Sequence, residues 1–129
     1  MRTRRLLVIV GLGLALCAGC GDSPEALMKD TLSNMKEMSG VLQSVKDETS
    51  AKAAAPKLKA IGARMQDLAK RGKDMNLSQE QQTALVEKYK PQMEEAVKGT
   101  FPEMMRIGML GIKDQEFNDA LKAGQTSPP

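Results

Sequence analysis

The only two cysteines of the chain, Cys17 and Cys20, are the residues whose type and spacing most directly suggest chemistry. Two residues separate them, and this C-x-x-C spacing occurs in thiol redox centres and in metal sites. A cysteine sulfur can also carry a covalent lipid, which would give the residue an anchoring role instead. The segments on either side of the pair decide between these chemistries.

The residues before the cysteines form a short apolar segment behind a positive N-terminus. Three arginines within the first five residues precede an apolar run over residues 6–16, which is 11 residues long. At 1.5 Å per residue a helix of this length covers about 16 Å, roughly half of a hydrocarbon core, so it is too short to span a membrane. Together with the small residues Ala18 and Gly19, this pattern predicts a cleaved export signal.

The run Leu16-Cys17-Ala18-Gly19-Cys20 resembles the lipobox of a bacterial lipoprotein precursor. The resemblance covers residues 1–20 and departs from the family pattern at Cys17, where leucine is commonest. It implies cleavage between Gly19 and Cys20, so that Cys20 becomes the first residue of the mature chain. It also implies a diacylglycerol on the Cys20 sulfur and an N-acyl chain, such as palmitate, on its amine. Two or more acyl chains make a stable membrane anchor.

This resemblance has consequences for the thiols and for the location of the protein. Cleavage before Cys20 would remove Cys17, which disfavours a redox or metal role for the C-x-x-C spacing and leaves no disulfide. Gly21, rather than aspartate, follows the modified cysteine, which by the same resemblance favours the periplasmic face of the outer membrane. Arg4 and Arg5 also partly resemble a twin-arginine signal, so this export route and the general secretory route both stay open.

The net charge of the mature chain differs from that of the whole sequence. The full chain carries 19 basic and 16 acidic side chains, a net charge of +3. Removal of Arg2, Arg4 and Arg5 leaves 16 of each sign, so the mature chain is neutral. A neutral chain with one tyrosine, two phenylalanines and no tryptophan offers little for nucleic-acid binding, and we predict no nucleic-acid partner.

Few side chains after residue 20 are suited to catalysis. The sequence contains no histidine, the commonest general base and the commonest metal ligand. Glu94 with Glu95 and Glu116 with Asp119 are candidate carboxylate pairs, but adjacent helical residues do not face each other and the second pair lies near a helix end. We therefore predict no catalytic site, no metal site and no cofactor beyond the lipid on Cys20.

The chain is rich in methionine, with nine of its ten methionines after residue 20. Met35 with Met38, and the group Met104, Met105 and Met109, could supply soft ligands for Cu(I). Because these positions coincide with helical apolar stripes, we interpret them as core residues that fill gaps in a chain with few aromatic side chains. A Met-lined groove for a peptide or an acyl chain is the alternative.

Apolar residues recur at spacings of three and four along the mature chain, which predicts helices throughout. Ser23 is an N-cap candidate for a first helix that runs to about Lys46. Ser50 is the candidate cap of a second helix, which ends near Arg71 with Gly72 in the left-handed closing conformation. The acidic and basic faces of the second and third helices are interpreted as solvated surfaces that help neighbouring helices to pair.

The third helix begins at a predicted capping box of Ser78 and Gln81. Its apolar positions form one stripe: Leu85, Tyr89, Met93, Val97, Phe101 and Met104. Pro91 and Pro102 interrupt the hydrogen bonding, so we expect either a long bent helix or two stacked helices, the second one capped by Thr100. Asp114 is the candidate cap of a short last helix that Gly124 closes.

We predict an all-α fold, a small antiparallel three-helix bundle with a long proline-kinked third helix and a short C-terminal helix. The three long helices have similar expected lengths of about 22 residues, or about 33 Å, and matched lengths with short loops favour antiparallel neighbours. Gly40 is expected to let Pro56 approach closely. The predicted organisation is a signal peptide over 1–19, a lipidated tether over 20–23, a helical domain over 24–123 and a disordered tail over 124–129.

The sequence thus favours a small, non-enzymatic, membrane-anchored envelope lipoprotein that acts through contacts with another protein. The expected partners are the membrane, through the anchor on Cys20, an envelope protein, and a second copy of the chain if an apolar stripe stays exposed. A carrier or chaperone for an acyl chain or an apolar peptide is the alternative function. An enzyme is the third hypothesis, and the missing residue types argue against it.

Overall fold

The computed structural model describes residues 23–125, which form four helices. α1 spans Pro24–Gln43, α2 spans Glu48–Asp74, α3 spans Gln79–Leu110 and α4 spans Gln115–Gln125. No strand occurs in this part of the chain, so the all-α prediction is confirmed. The predicted signal peptide, the Gly19–Cys20 cleavage site and the tail beyond Gln125 lie outside the described residues.

The predicted caps of α1, α3 and α4 are confirmed, and the predicted cap of α2 is wrong. Ser78 Oγ accepts a hydrogen bond from the Gln81 amide at 3.2 Å, and Gln81 Oε1 accepts one from the Ser78 amide at 3.0 Å, which is the predicted capping box. α2 is capped by Asp47 instead of Ser50. The Asp47 carboxylate accepts from the Ser50 amide at 2.8 Å, while Ser50 Oγ accepts from the Asp47 amide at 3.0 Å, so Ser50 occupies the third helical position.

The helix lengths also differ from the prediction. α1 has 20 residues and ends at Gln43, before Lys46, whereas α2 has 27 residues and continues through Gly72 to Asp74. The chain turns after α2 at Asn76, whose φ of 49° is left-handed, so Asn76 rather than Gly72 adopts this conformation. α3 has 32 residues, and the expectation of matched lengths is therefore wrong.

α3 is one continuous helix although Pro91 and Pro102 lie inside it. Both prolines are exposed, so water can bond to the carbonyl that each of them leaves without an amide partner. Thr100 is buried, and its Oγ1 donates to the Ala96 carbonyl at 2.9 Å. Thr100 therefore lies inside the helix, and the alternative of a second helix capped by Thr100 is wrong.

α1 lies between α2 and α3. It is antiparallel to α2, and an ion pair of 2.8 Å joins Glu37 to Arg64 between them. Three hydrogen bonds join α1 and the residues after it to α3: Glu25 to Lys88, Ser39 to Gly99 and Val45 to Arg106. The partners are 60 to 63 residues apart in every case, which shows that α3 runs parallel to α1. Among the described residues, no Cα atoms of α2 and α3 lie within 8 Å of each other.

α4 covers the side of α2 that α3 leaves open. At the start of the two helices, the Lys113 amide donates to Glu48 Oε2 at 3.1 Å. Near the end of α4 and the middle of α2, a Cβ added to Gly62 would lie 3.6 Å from the Gly124 amide nitrogen, so glycine allows a close backbone approach here. α4 therefore runs parallel to α2 and takes the place that a closed three-helix arrangement would give to α3.

The buried apolar residues form two clusters of unequal size. The larger cluster joins all four helices at the end where α1 finishes and α2 begins, and its fully covered members include Phe117, Leu42 and Val45. The smaller cluster joins only α1 and α3 and consists of Leu32, Tyr89 and Ala96. The α2 contribution to the larger cluster is mostly alanine, which lets the neighbouring helices approach closely.

One prediction about packing is wrong and another holds only in part. Nothing lies within 4 Å of a Cβ placed on Gly40, so Gly40 does not serve a close approach of Pro56. Seven methionines are half-buried, and five of them pack against the two clusters: Met28, Met35, Met38, Met93 and Met104. Met105 and Met109 are exposed, so they are not the core residues that the sequence predicted.

Candidate functional site

The predicted single stripe of α3 is divided between a covered face and an uncovered face. Tyr89, Ala96 and Ile107 are at most 5% exposed, because they face α1 and the larger cluster. Another face of the helix carries apolar side chains that are 41–81% exposed: Val86, Val97, Phe101, Met105, Met109 and Leu110. Placing Val97 and Phe101 in the core is therefore wrong, because α4 rather than α3 covers α2.

The C-terminal part of this uncovered face forms a groove with α4. Its apolar lining includes Phe101, Met104 and Met105 from α3 and Ile112 and Leu121 from the segment that follows. Its volume is about 370 Å³, within the range of sites for small molecules and short peptide segments. We call these five residues and the space between them the Met groove.

A tight turn after α3 builds the second wall of the Met groove. Gly111 ends α3 with a φ of 63°, the left-handed conformation that glycine adopts without strain. Asp114 then caps α4 as predicted, with its Oδ1 accepting from the Phe117 amide at 2.8 Å. Asn118 donates to the Ile112 carbonyl at 3.0 Å, which holds the turn against α4. These contacts bring α4 beside the end of α3.

Arg106 fixes the other wall of the groove, and the sequence reasoning did not single it out. Its guanidinium donates to the Val45 carbonyl at 2.7 Å and to the Leu42 carbonyl at 2.9 Å, and it pairs with Glu103 at 2.7 Å. The last carbonyls of a helix lack partners within that helix, so Arg106 caps the C-terminus of α1 from α3. The absence of a basic residue in the last turn of α1 was the available signal.

The N-terminal part of the uncovered face carries alternating charges beside its apolar residues. In chain order it presents Val86, Glu87, Lys90, Met93, Glu94, Val97 and Lys98. We call these seven residues the charged stripe. Within residues 23–125, none of its four charged side chains forms an ion pair or a hydrogen bond. Its charges are therefore available to a molecule that covers the stripe.

One exposed ion pair joins the start of α1 to α3 next to this stripe. Lys88 Nζ lies 2.5 Å from Glu25 Oε1 and 5.8 Å from the centre of the Tyr89 ring. The hydrogen bond and the charge of Lys88 lower the pKa of Glu25 below its usual value, and Glu25 raises the pKa of Lys88 in return. The pair holds the first turn of α1 beside Lys88 of α3, and it involves none of the residues of the charged stripe.

The other residues singled out from the sequence do not come together as a site. Glu94 belongs to the charged stripe and Glu95 is exposed beside it, whereas Glu116 and Asp119 line a shallow hollow against Lys59 on α2. Met35 and Met38 pack against different core clusters. No group of three or more cysteine, aspartate or glutamate side chains within 23–125 is placed to hold a metal ion.

Charged side chains of α2 and α3 form ion pairs with α1, the helix that lies between them. Arg64 of α2 reaches Glu37 of α1 at 2.8 Å, and Lys88 of α3 reaches Glu25 of α1. Arg71 also reaches Asp67 within α2 at 3.6 Å. These contacts agree with the interpretation that the charged faces are solvated surfaces that help neighbouring helices to pair.

None of the four described helices combines the length and the apolar composition needed to cross a bilayer. No protein-family model matches the chain, and comparisons with curated proteins and with solved structures found no similar protein. Function must therefore be inferred from the residues of the chain and from their geometry.

Proposed function

We propose that the protein is a small bacterial envelope lipoprotein, anchored to the membrane through Cys20, which acts as a non-enzymatic protein-interaction module. The observation that carries the anchor is the run of arginines, apolar residues and Leu16-Cys17-Ala18-Gly19-Cys20. Cleavage between Gly19 and Cys20, a diacylglycerol and an N-acyl chain on Cys20, and a position at the periplasmic face of the outer membrane belong to the same proposal.

The short connection between Cys20 and α1 supports action close to the membrane. Ser23 caps α1 by accepting a hydrogen bond from the Ala26 amide at 3.1 Å, so the N-cap lies three residues after Cys20. Three extended residues reach at most about 11 Å. An acylated Cys20 would therefore keep the first turn of α1 within about that distance of the bilayer surface.

The Met groove is the surface that we assign to the partner, which we infer to be an apolar helical segment of another envelope protein. Methionine side chains are flexible and polarisable, and surfaces rich in methionine accommodate amphipathic helices. Phe101 and Met105, which are 61% and 54% exposed, would supply the largest contact areas. The absence of histidine and the scattered carboxylates favour this binding role over an enzymatic one.

A carrier of an acyl chain or of an apolar peptide is the second candidate function. The open, apolar lining of the Met groove favours it, and an acyl chain would occupy the same space as the partner helix. We also propose that α3 bends at Pro91 and Pro102. Bending at Pro102 would widen or narrow the groove, because the proline lies between Phe101 and Met104.

The anchor is tested by intact-mass measurement and by membrane fractionation of the chain expressed in a diderm bacterium. We expect a mass that starts at Cys20 and includes acyl chains, recovered with the outer membrane. Cys20→Ala should remain unprocessed and lose the acyl mass, whereas the matched variant Cys17→Ala should be processed normally. A wild-type mass without lipid, or normal processing of Cys20→Ala, would refute the anchor.

The Met groove is tested by native mass spectrometry of the protein extracted from its own membranes. We expect a second polypeptide to co-purify with the wild type and to be lost from Met105→Lys. Gln92→Lys places the same charge on an exposed position of the same helix, outside the groove and the charged stripe, and should retain the partner. A bound apolar molecule of low mass that Met105→Lys removes, without any second polypeptide, would favour the carrier instead.

A further inference from the structure

The charged stripe lies outside the Met groove. The signs of its four charges alternate, so the sequence of signs from one end is the opposite of the sequence from the other end. Along α3 the charges follow as Glu87, Lys90, Glu94 and Lys98, which is negative, positive, negative, positive. Read from the other end, the same residues run positive, negative, positive, negative. This order makes the surface complementary to an inverted copy of itself.

We propose that the charged stripe is a homodimer interface in which two copies of α3 pack antiparallel around a two-fold axis beside Met93. In this register Glu87 of one copy lies opposite Lys98 of the other, and Lys90 lies opposite Glu94. A parallel pairing in register would instead place every charge opposite one of the same sign. Exposed ion pairs add little affinity, but they set orientation and specificity.

The apolar residues of the stripe fit the same register. Val86 of one copy lies close to Val97 of the other, and the two Met93 side chains meet near the axis. Val86 and Val97 are 47% and 49% exposed, and Met93 is half-buried, so all three have area left to cover. A two-fold axis makes the interface isologous, since each copy offers the same patch and each contact occurs twice.

The area available to this interface is small. The charged stripe covers about 13 residues of α3, from Val86 to Lys98, or about 20 Å, and a strip about 10 Å wide buries about 200 Å² on each copy. An interface of this size is too small to hold two copies together in dilute solution. Confinement of both copies to one membrane would raise their effective concentration and favour such a dimer.

The position of α1 allows both copies to be anchored in one membrane. Because Glu25 pairs with Lys88, Ser23 lies level with about residue 86 of α3. This level is about six residues, or about 10 Å along the helix, from the two-fold axis. Both N-termini would therefore leave the dimer near its middle, and a dimer that lies flat on the bilayer would place both anchors within reach of it.

The interface is tested by disulfide cross-linking of Met93→Cys in the full chain in native membrane vesicles. Two cysteines beside a two-fold axis lie close together, so we expect oxidation to convert most of the protein to a disulfide dimer. Ala53→Cys places an exposed cysteine on α2 and should give at least a tenfold lower yield. The chain without an introduced cysteine sets the background from Cys17 and Cys20.

Charge reversal tests the register in the Met93→Cys background. Glu87→Lys with Glu94→Lys makes the stripe positive, and Lys90→Glu with Lys98→Glu makes it negative. Each double variant should lower the yield at least fivefold, and co-expression of the two should restore it as a mixed dimer. As a matched control, Lys52→Glu with Lys57→Glu changes the same charge on exposed positions of α2 and should leave the yield unchanged.

The outcomes separate this proposal from the proposed function. Equal yields from Met93→Cys and Ala53→Cys, or charge-reversed variants that cross-link like the wild type, would overturn the homodimer while leaving the lipid anchor and the Met groove intact. The mixed dimer formed only by opposite variants would establish the interface even if the mass of the chain showed no lipid on Cys20.

Discussion

At the scale of single residues, the two phenylalanines of the chain have opposite roles. Phe117 is fully buried in the larger cluster, whereas Phe101 is 61% exposed in the Met groove. We expect Phe117→Ala to lower the free energy of unfolding by about 3–5 kcal/mol, because it leaves a cavity among α1, α2 and α4. Phe101→Ala should change it by less than about 0.5 kcal/mol.

Urea unfolding followed by circular dichroism compares the two phenylalanine variants directly. Because both replace the same side chain, the difference between them reports burial alone. If Phe101→Ala proved as destabilising as Phe117→Ala, the groove would be part of the core and could not serve as a binding surface. Phe101→Ala should instead weaken the association with the partner proposed for the Met groove.

Asp47 provides a prediction about pH. The Ser50 amide and hydroxyl donate to its carboxylate and hold the pKa of Asp47 below the usual value of 3.8. A lowered folded-state pKa stabilises the protein fully above the unfolded-state pKa, and this stabilisation is lost as the pH falls through the folded-state pKa. Asparagine also caps helices but does not titrate, so Asp47→Asn should lack only this contribution.

The expected result is a free energy of unfolding that is lower for Asp47→Asn than for the wild type at neutral pH. The difference should shrink once the pH falls below about 3.8 and disappear at lower pH. Thermal unfolding at several pH values measures it. Gln43→Asn is a control substitution at an exposed position outside the cap, and its difference from the wild type should not depend on pH.

At the scale of the helices, substitution of Pro102 tests whether α3 is one continuous helix. If the chain is helical through Pro102, as the structure has it, Pro102→Ala restores the amide that can bond to the Lys98 carbonyl. We then expect the free energy of unfolding to rise by about 1–3 kcal/mol, since proline is about 3 kcal/mol less favourable than alanine inside a helix. A new helix that begins at Thr100 would give no gain, because proline suits a first turn.

The helices also show what the sequence can and cannot predict. The capping box of Ser78 and Gln81 was predictable because both of its partners lie within one turn. Asp47 was missed because two neighbouring residues, Asp47 and Ser50, are both good caps and the sequence does not rank them. The sequence left open whether α3 is one long helix or two stacked helices, because the cost of Pro102 depends on its exposure, which only the packed structure supplies.

The candidate surfaces were predictable only in part for a similar reason. The period of the apolar residues identified Phe101 and Met104 as members of a stripe, but it could not show what would cover the stripe. That depends on whether α3 or α4 packs on α2, and this choice is made by contacts distant in sequence, such as the close approach of Gly62 and Gly124. Arg106 acts at a similar distance, because it caps a helix about 60 residues earlier in the chain.

At the scale of the whole molecule, the two core clusters predict unequal local stability. The larger cluster contains nine buried residues from all four helices and the loop after α1, while the smaller contains three from α1 and α3 alone. The residues that begin α3, 79–84, are exposed throughout. Regions with few buried contacts open at a lower free energy than the rest of a protein, so the first half of α3 should open before the larger cluster does.

Hydrogen exchange measured by mass spectrometry tests this order of opening. At protein concentrations low enough to keep the chain monomeric, amides of residues 86–98 should exchange at least tenfold faster than those of residues 54–61, which lie in the well-packed part of α2. Higher concentration, or attachment to vesicles, should slow exchange in residues 86–98, because the charged stripe becomes covered by a second copy. Uniform exchange along both helices would contradict the two-cluster core, and exchange that is independent of concentration would count against the dimer.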